Sequence, residues 1–523
     1  MEGGKKEKII SAAEAAALIK DGDTVATGGF VGIGFAEELA IAIENRFKAE
    51  SAPRDLTLVY AAGQGDGNNR GLNHFGHEGL LKRVIGGHWG LVPNIQKLAL
   101  ENKIEGYNLP QGVIAHLFRD IGAGKKGTLT HVGLKTFVDP RVEGGKINPK
   151  TTEDLVKLIE IDGEEQLFYK AFPINIAILR GTTADTSGNI SMEKEALTLE
   201  SIAIAIATRN SGGKVIVQVE RVAAENSINP RNVVIPGIHV DYIVVAAAEN
   251  HAQTFNTKYN PAFSGEIKVP VSDIKPMPFG IRKVIARRAA MELSKGDVVN
   301  LGIGLPEGVS AVANEEEIIR HMVLTAEPGV VGGVPAGGLD FGATANPQAI
   351  VDQPYQFDFY DGGGLDIAFL GLAQTDARGN VNVSRFGGRI AGAGGFINIS
   401  QNTRKVVFLG SFTAGKNDVE ISCGNVSVVN HNSKSKFINQ VEQITFSGDY
   451  AREKDQKILY ITERCVFGIH SNGIELIEIA PGIDLEKDIL QLMEFKPQIS
   501  PNLKLMPEKI FCEERLGKEF FRC

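Results

Sequence analysis

The 523-residue sequence has few cysteines and no long hydrophobic run. It contains four cysteines, which form no CxxC pair and lie in the last fifth of the chain: Cys423, Cys465, Cys512 and Cys523. So few, unclustered cysteines are typical of free thiols in a reducing compartment, and they argue against a zinc site built on cysteine pairs. No stretch of about 18 apolar residues occurs, and no signal-peptide core follows Met1. We therefore expect a cytoplasmic protein without a membrane span.

Several motifs that identify common protein classes are also absent. The sequence has no Walker-type GxxxxGK[ST] segment and no GxSxG elbow, which argues against a P-loop protein and a serine hydrolase. His74 and His77 stand without an HExxH motif or a carboxylate-rich partner motif, so we expect no metal site. The net charge of −8 argues against a nucleic-acid-binding protein, which usually carries a basic face.

What the sequence has in excess is glycine, with 60 residues, well above the roughly 7% of average usage. Such an excess indicates many tight turns between strands and helices. A hydrophobic content of 43% and a charged content of 23% are typical of a globular protein. Since 523 residues exceed the size of one ordinary core, the length predicts two or more domains.

The first half of the chain recurs in the second half. The matching pairs are 22–28 with 296–302, 32–37 with 302–307, 176–190 with 367–381, and 214–217 with 405–408. The last two pairs share one spacing of 191 residues, a constancy that chance rarely produces. The sequence therefore predicts two tandem copies of one domain.

The two copies differ in length. From Gly28 to Gly188 the first copy spans 160 residues, whereas the equivalent stretch from Gly302 to Gly379 spans 77. We therefore expect an insertion around 90–160 in the first copy, of the kind that serves as a lid or a subunit contact. A proline-rich linker at 261–280 separates a first domain at 1–260 from a second at 281–523.

Short Val- and Ile-rich segments alternate with helical patterns in both copies. A Ser-x-x-Glu capping box at Ser11 opens a helix through Ile19, a strand follows at 23–27, and a helix at 35–47. In the second copy we expect a helix at 281–293 and a strand at 298–301. This alternation predicts an α/β fold with mostly parallel sheets covered on both faces.

Glu327 follows an apolar run, 321–326, and precedes a glycine-rich segment, 328–338. The run reads as a buried strand, and open α/β sheets bind ligands beyond the carboxyl ends of their strands. The glycines leave room for a ligand to approach the backbone. On local sequence alone, a solvated acid at a strand end is the favoured interpretation of Glu327, and the rest of the chain reverses that preference.

Each copy carries a glycine loop between a strand and a helix. The first, 28–34, reads GxxGxG, and the second, 302–308, has Glu307 where a dinucleotide fingerprint needs its third glycine. Neither loop therefore identifies a nicotinamide enzyme. Two equivalent loops indicate a ligand more strongly than one, although a tight turn is the simpler interpretation of each.

With the repeat, the loops and Glu327 in place, the chain resembles the family I coenzyme A transferases over nearly its whole length, and the branch with both halves fused, the propionate (short-chain acyl) CoA-transferases, most of all. The motifs that carry the resemblance are 109–112 (LPQG), 301–306 (LGIGLP), 327–333, 361–366, 392–395 (GAGG) and 461–467. It implies two tandem NagB/RpiA-like αβα domains. Pro328 stands where many relatives have Asn, and Ala393 interrupts the usual GMGG.

The resemblance assigns roles to individual residues. It implies that Glu327 is the nucleophile of a ping-pong reaction through a glutamyl-CoA thioester. The Gln111 amide and the Gly395 backbone N–H align with the oxyanion donors, although Gln111 is also typical of an exposed turn. The residues that align with the CoA-contacting backbone are Gly302, Ile303, Gly304, Leu305, Pro306 and Gly394. With an ordinary glutamate pKa of roughly 4.3, the nucleophile is expected to be ionised at neutral pH.

The resemblance also implies partners. These are acyl-CoA and short-chain carboxylates such as acetate, propionate, lactate, butyrate or acrylate, with no metal or redox cofactor and no nucleic acid or membrane. It implies a homo-oligomer, with a tetramer expected. Three alternatives stay open: an acyl-CoA hydrolase of the same fold, a non-catalytic metabolite sensor, and, as an outsider, a nicotinamide oxidoreductase.

Overall fold

A computed structural model describes residues 8–270, 276–415, 418–422 and 424–521. Cys423, Cys523, the first seven residues and part of the expected linker, 271–275, lie outside the described residues. Cys465 is a free buried thiol, and Cys512 Sγ donates to the carbonyl of Glu508. No helix in the described part of the chain is long and apolar enough to cross a membrane.

The first half of the described chain alternates strands with helices. Its helices are α1 (Ala12–Ala17), α2 (Glu37–Glu50), α3 (Pro93–Leu100), α4 (Gln111–Gly122) and α5 (Ser201–Asn210). Its strands are β1 (Thr24–Thr27), β2 (Leu56–Tyr60), β3 (Leu81–Gly86), β4 (Glu105–Asn108), β5 (Gly127–Thr130), β6 (Val156–Ile161), β7 (Glu164–Lys170), β8 (Ile176–Arg180), β9 (Thr183–Asp185), β10 (Ile190–Ser191), β11 (Lys214–Val219), β12 (Arg221–Ala223), β13 (Val233–Ile235) and β14 (Tyr242–Val245).

The second half repeats this alternation and then adds strands. Its helices are α6 (Ile281–Ala290), α7 (Glu307–Glu315), α8 (Gln353–Asp361), α9 (Phe396–Asn402) and α10 (Gly448–Glu453). Its strands are β15 (Val298–Leu301), β16 (Val323–Ala326), β17 (Val330–Val331), β18 (Val334–Pro335), β19 (Thr344–Ala345), β20 (Ala349–Ile350), β21 (Ile367–Gly371), β22 (Gln374–Thr375), β23 (Val381–Asn382), β24 (Arg385–Phe386), β25 (Arg389–Ile390), β26 (Lys405–Leu409), β27 (Val419–Ser422), β28 (Asn425–Val428), β29 (Lys457–Ile461), β30 (Cys465–His470), β31 (Gly473–Ile479) and β32 (Gln498–Leu505).

The main sheet of the first half is entirely parallel. Its strand order is β14-β11-β8-β1-β2-β3-β4, and every neighbouring pair runs in the same direction. Parallel strands need crossover connections, and helices supply them between β1 and β2 and between β8 and β11. The prediction of parallel sheets with helical crossovers is therefore confirmed.

The sheet of the second half repeats the parallel centre and differs at its edges. Its order is β20-β17-β16-β15-β21-β26-β29-β30-β31-β32. The pairs from β16 to β29 are parallel, whereas β17, β20, β30 and β31 join antiparallel. The two copies thus share a parallel centre of five strands, β2-β1-β8-β11-β14 in the first and β16-β15-β21-β26-β29 in the second, and extend it with different strands.

The extra length of the first copy adds β3 and β4 to the main sheet, with α3 between them. Further along the chain, β5, β6 and β7 form a separate antiparallel sheet. Strand β5 and most of β6 fall within the insertion expected around 90–160, whereas β7 lies just beyond it. The exact domain limits at 260 and 280 stay a prediction.

The capping box at the start of α1 is confirmed, because the Ser11 hydroxyl accepts from Glu14 N–H while the Glu14 carboxylate accepts from Ser11 N–H. Helix α1 ends at Ala17, however, and not at Ile19.

The two halves share a core. Ala393 and Ile397 of the second half lie in the same buried cluster as Val113 and Leu117 on α4. A second mixed cluster places Phe30 beside Val330. Helix α4 packs on α8, where the His116 Nε2–H donates to the carbonyl of Pro354 at 3.0 Å. This seam between the copies positions the candidate site.

Candidate active site

Glu327 begins a tight turn between β16 and β17. Ala326 pairs with Val330 across this hairpin, and the N–H of Gly329 donates to the carbonyl of Ala326 at 3.1 Å. Gly329 has a φ of +119°, and a Cβ there would lie 2.0 Å from the carbonyl oxygen of Val351. Only glycine fits this turn, and the turn aims Glu327 away from the strand.

The Glu327 side chain enters a cavity of about 290 Å³ at the seam. Both copies line this cavity, the first with Phe30, Val31, Gly63, His88, Leu91 and Gln111, and the second with Gly302, Ile303, Glu327, Phe341, Leu370, Gly371, Val383, Ala391, Gly392, Ala393, Gly394, Gly395 and Phe396. Among these lining residues, only His88, Gln111 and Glu327 have polar side chains. The site is therefore an apolar chamber with a few placed polar groups.

The protonation of Glu327 departs from the sequence-based expectation. Removal from bulk water raises the pKa of the Glu327 carboxyl to about 7, and the neighbouring Gln111 amide partly offsets this rise. The expectation of an ordinary glutamate pKa was wrong, because burial in an apolar chamber disfavours the charged form. A raised carboxylate pKa also makes the ion a stronger nucleophile once it forms.

Gln111 is the first residue of α4 and is buried, with 1% exposure. Its backbone N–H donates to the carbonyl of Gly394 at 3.0 Å, and the next N–H, of Gly112, donates to Asn398 Oδ1 at 3.1 Å. Its side-chain Nε2–H donates to Gln353 Oε1 at 3.4 Å. The alternative of an exposed turn residue is therefore wrong for Gln111.

Gly395 lies directly against the carboxylate. A Cβ built on Gly395 would stand 2.7 Å from Glu327 Oε2. No described residue accepts a hydrogen bond from the Gly395 backbone N–H. By contrast, the Gly394 N–H donates to the carbonyl of Gly87 at 2.7 Å, and the Gly394 carbonyl accepts from Gln111. Gly395 thus offers an unused donor, whereas Gly394 joins the two copies.

The predicted CoA loop divides into two parts. Gly302 and Ile303 line the cavity, and Ile303 is 55% exposed at its mouth. The residues of the loop that do not line it form the turn into α7: Gly304, Leu305 and Pro306. There the backbone N–H of Gly304 donates to Glu307 Oε1 at 3.0 Å, so this N–H of the loop already has an acceptor. Burial raises the pKa of Glu307.

Sequence reasoning missed two kinds of cavity residue. The aromatic rings of Phe30 and Phe341 form an apolar wall, with centroids 5.6 Å apart. His88 contributes a ring whose pKa burial lowers to about 4, and its Nδ1 has no partner among the described residues. The neighbouring Trp89 is buried in the wall behind and donates to the carbonyl of Gly86. No local pattern distinguished His88 from Trp89.

The histidines that invite a metal interpretation are engaged elsewhere. His74 bonds to Glu44 and Glu37, and His77 bonds to Glu44. These contacts hold the loop after β2 against α2. Within the described ranges, no group of three or more His, Cys, Asp or Glu side chains is arranged to hold a metal ion.

This arrangement suits acyl transfer. A carboxylate in an apolar chamber lies against the backbone of Gly395 and beside a buried amide. A carboxylate can attack a carbonyl, and backbone and amide N–H groups can stabilise the resulting oxyanion. The chamber opens beside the glycine loop, where Gly302 and the exposed Ile303 line it.

Comparison with known proteins identifies the family. Residues 9–246 match the family profile described as Coenzyme A transferase. The chain is 50% identical over 513 residues to the caffeate CoA-transferase of Acetobacterium woodii, covering 97% of this chain and 98% of that one. It is 42% identical over 510 residues to the acetate CoA-transferase YdiF of Escherichia coli (strain K12), covering 97% and 96%.

The fold agrees with a solved structure of the same group. An acyl-CoA transferase (YdiF) from E. coli O157:H7, described as a thioester complex with CoA, superposes with a TM-score of 0.92 at 42% identity, covering 98% of this chain and 97% of that chain. The predicted family and the predicted tandem α/β fold are both confirmed. The chain belongs to the family I coenzyme A transferases and is an enzyme of that class.

Proposed function

We propose that this enzyme moves CoA between short-chain carboxylic acids by a ping-pong reaction through a glutamyl-CoA thioester on Glu327. The observation that carries the proposal is the chamber itself. A glutamate with a raised pKa lies against Gly395 and beside the amide of Gln111 inside an apolar cavity. The relative solved as a thioester complex with CoA supports the same chemistry.

In the first step, a Glu327 carboxylate oxygen attacks the thioester carbonyl of an acyl-CoA. The resulting tetrahedral oxyanion collapses, the C–S bond breaks, and CoA leaves as the thiolate. The product is a mixed anhydride between the acyl group and Glu327. Because an anhydride hydrolyses readily, the apolar walls protect it by excluding water.

In the second step, the CoA thiolate attacks the carbonyl carbon of Glu327. The bond between this carbon and the bridging anhydride oxygen breaks, the first acid leaves with that oxygen as a carboxylate, and a glutamyl-CoA thioester remains. A second carboxylate then attacks this thioester and the same two steps run in reverse. The second acid departs as its CoA ester, and Glu327 is regenerated.

Each tetrahedral stage concentrates negative charge on one oxygen. The Gly395 N–H and the Gln111 amide supply fixed donors beside Glu327, and such donors act strongly where water is excluded. Removing one donor of this kind costs about 10²–10³ in kcat in other acyl-transfer enzymes. We assign Glu327 as nucleophile, and Gln111 and Gly395 as oxyanion donors.

For the CoA moiety we propose that Gly302 and Ile303 contact the ligand at the cavity mouth. Gly304, Leu305 and Pro306 then act mainly by shaping the turn, and Gly394 by fixing the wall. We further propose that the enzyme needs no cofactor beyond CoA as substrate, acts in the cytoplasm, and assembles as a homo-oligomer, with a tetramer expected.

The acid pair follows from the size and chemistry of the chamber. Apolar walls in a volume of about 290 Å³ suit short acyl chains such as acetyl, propionyl, lactyl, butyryl or acrylyl. Two relatives are named for acids of different size: acetate is the smallest acid of this range, and caffeate is larger than any of them. A panel of acceptor acids from acetate to caffeate locates the preference between these limits.

The deciding experiment is mass spectrometry of the protein mixed with propionyl-CoA and no acceptor acid. We expect a CoA adduct on the peptide that contains Glu327, discharged by added acetate and absent from Glu327→Ala. Rapid loss of propionyl-CoA without an adduct would instead favour a hydrolase. Neither adduct nor turnover across several short acyl-CoAs would contradict both enzyme assignments and favour a sensor.

A further inference from the structure

Behind Gln111 lies a second buried amide, Gln353, to which sequence and family assign no role. Gln353 is the first residue of α8 and has 0% exposure. Its Oε1 accepts the hydrogen bond from Gln111 Nε2 at 3.4 Å, whereas its own Nε2 has no partner among the described residues. The acceptor end of Gln353 is therefore the end in use.

This contact favours one of the two orientations of the Gln111 amide beside Glu327. A glutamine amide carries donors on nitrogen and an acceptor on oxygen, and it can rotate by half a turn at little cost in shape. With Oε1 of Gln353 beside it, the rotamer that presents nitrogen keeps a hydrogen bond. The opposite rotamer would set two carbonyl oxygens against each other and would present an oxygen to the developing oxyanion.

We propose that Gln353 is a positioning residue that holds the Gln111 amide with its N–H groups toward Glu327 and the oxyanion. The inference rests on the proposed function, because it assigns Gln353 a part in the same reaction. Gln353 itself acts only through Gln111 and touches neither substrate nor nucleophile.

The backbone around both glutamines is fixed independently of these side chains. The N–H of Gln353 donates to the carbonyl of Leu199 at 2.9 Å, as the N–H of Gln111 donates to that of Gly394. The carbonyl of Pro354 accepts from His116 on α4. Exchanging the Gln353 side chain therefore leaves the seam between α4 and α8 held by other bonds.

The test replaces Gln353 by Met, which has similar volume and no amide. We expect kcat to fall about tenfold while KM for the acid changes less than twofold, since a misoriented donor acts on the transition state. The pH profile of adduct formation is expected to shift to higher pH, because Glu327 loses a donor that lowers its pKa. Gln356→Met is the matched control, being equally buried on the same helix and in contact with Tyr360.

A double-mutant cycle separates positioning from structure. In a Gln111→Ala background, Gln353→Met should have no further effect on kcat, because its only route to the reaction is gone. A full additional loss in that background, or an equal loss in Gln356→Met, would overturn the proposal. An unchanged kcat and pH profile in Gln353→Met would overturn it as well.

A second measurement distinguishes this proposal from the proposed function. Carbon-13 NMR of protein labelled at glutamate carboxyls, with Glu327→Gln for assignment, reports the pKa of Glu327 without turnover. If the wild-type enzyme forms no adduct, the proposed function fails, yet Gln353→Met must still raise the pKa of Glu327 and Gln356→Met must not. An unmoved pKa in Gln353→Met rejects the positioning role in either case.

Discussion

The two copies of the domain place their acidic residues at different points of the same framework. Matching β1 with β15, the strand registers pair Thr57 with Val323, so that Ala61 is the counterpart of Glu327. The strand end that carries the nucleophile in one copy therefore carries a methyl group in the other. After Ala61 the chain continues toward β3, a long parallel strand, whereas Glu327 turns sharply into the short antiparallel β17.

At the helix starts of the framework, the acid lies in the first copy and not in the second. Gln111 and Gln353 both open a helix and both donate a backbone hydrogen bond to a residue of positive φ, Gly394 at +53° and Leu199 at +57°. The next residue is Gly395 in one copy, and in the other it is Glu200, which is buried. In the second copy the strand ends at an acid, Glu327, and the helix starts at a glycine, Gly395. In the first copy the strand ends at an alanine, Ala61, and the helix starts at a glutamate, Glu200.

The duplicated framework therefore supplies matched positions, and sequence divergence selects one working site. Gln111 and His88 come from the first copy, and Glu327 and Gly395 come from the second. Neither half contains a complete set. Fusion of both copies in one chain keeps these groups at a fixed seam, and a separate half is expected to be inactive.

The largest expected effect comes from removing the acid of the second copy. Glu327→Gln should abolish the CoA adduct and lower kcat at least 10³-fold, because an amide of the same shape cannot form the anhydride. Glu200→Gln is the matched control in the first copy and should retain the adduct. Adduct mass and acyl-CoA turnover measure both, and an active Glu327→Gln enzyme would contradict the assignment.

Removing the donor from the first copy should have the next largest effect. Gln111→Ala is expected to lower kcat about 10²-fold with a smaller change in KM, because it removes one oxyanion donor. Gln353→Met, its counterpart in the other copy, should cost about a tenth as much. Steady-state kinetics with one acyl-CoA and one acid checks the ranking. Equal losses in the two variants would show that the copies contribute symmetrically.

Much of this framework was predictable from sequence. The repeat, the strand that ends at Glu327 and the helix that begins at Ser11 follow from local apolar patterns and capping chemistry, which are short-range properties. The roles of Gln111 and Gly395 came from family resemblance, and the structure brings both beside Glu327. Gln353 and His88 carry no local signal, since their importance depends on contacts with residues more than 200 positions away.

Protonation was likewise beyond sequence. Glutamates at 200, 307 and 327 are identical in formula, and burial by residues distant in the chain raises the pKa of each. The direction of the strands at the edges of the two sheets could not be predicted either, because parallel and antiparallel edge strands have the same sequence pattern. Sequence therefore specifies the secondary-structure elements well. It specifies poorly how deeply a given side chain is buried.

Glu327 should dominate the pH dependence of the first half-reaction. With a pKa of about 7, the rate of adduct formation at low acyl-CoA concentration should rise nearly tenfold per pH unit below pH 7 and level off above it. Stopped adduct formation followed by mass spectrometry between pH 5 and 9 gives the profile. A plateau already reached at about pH 5 would mean that the carboxyl keeps its ordinary pKa.

The smallest effect concerns Glu200, the acid of the first copy. Burial raises its pKa to about 8, and no other described residue hydrogen-bonds its carboxyl oxygens. Because the folded state holds this proton more tightly than the unfolded chain does, the corresponding stabilisation is complete below the unfolded pKa of roughly 4.5 and is lost as pH rises toward 8.

Glu200→Gln cannot ionise, so its melting temperature should fall less than that of the wild type between pH 7 and 9. Glu327→Gln separates the two acids, because a group with a pKa of about 7 is already half ionised at pH 7, whereas Glu200, with a pKa of about 8, is still mostly protonated there. The melting curve of Glu327→Gln should therefore run closer to parallel with the wild type than that of Glu200→Gln. Thermal unfolding of the three proteins at matched ionic strength measures the slopes. If Glu200→Gln also ran parallel to the wild type, the acid of the first copy would titrate like a solvated one, and the two copies would differ in chemistry without differing in buried charge.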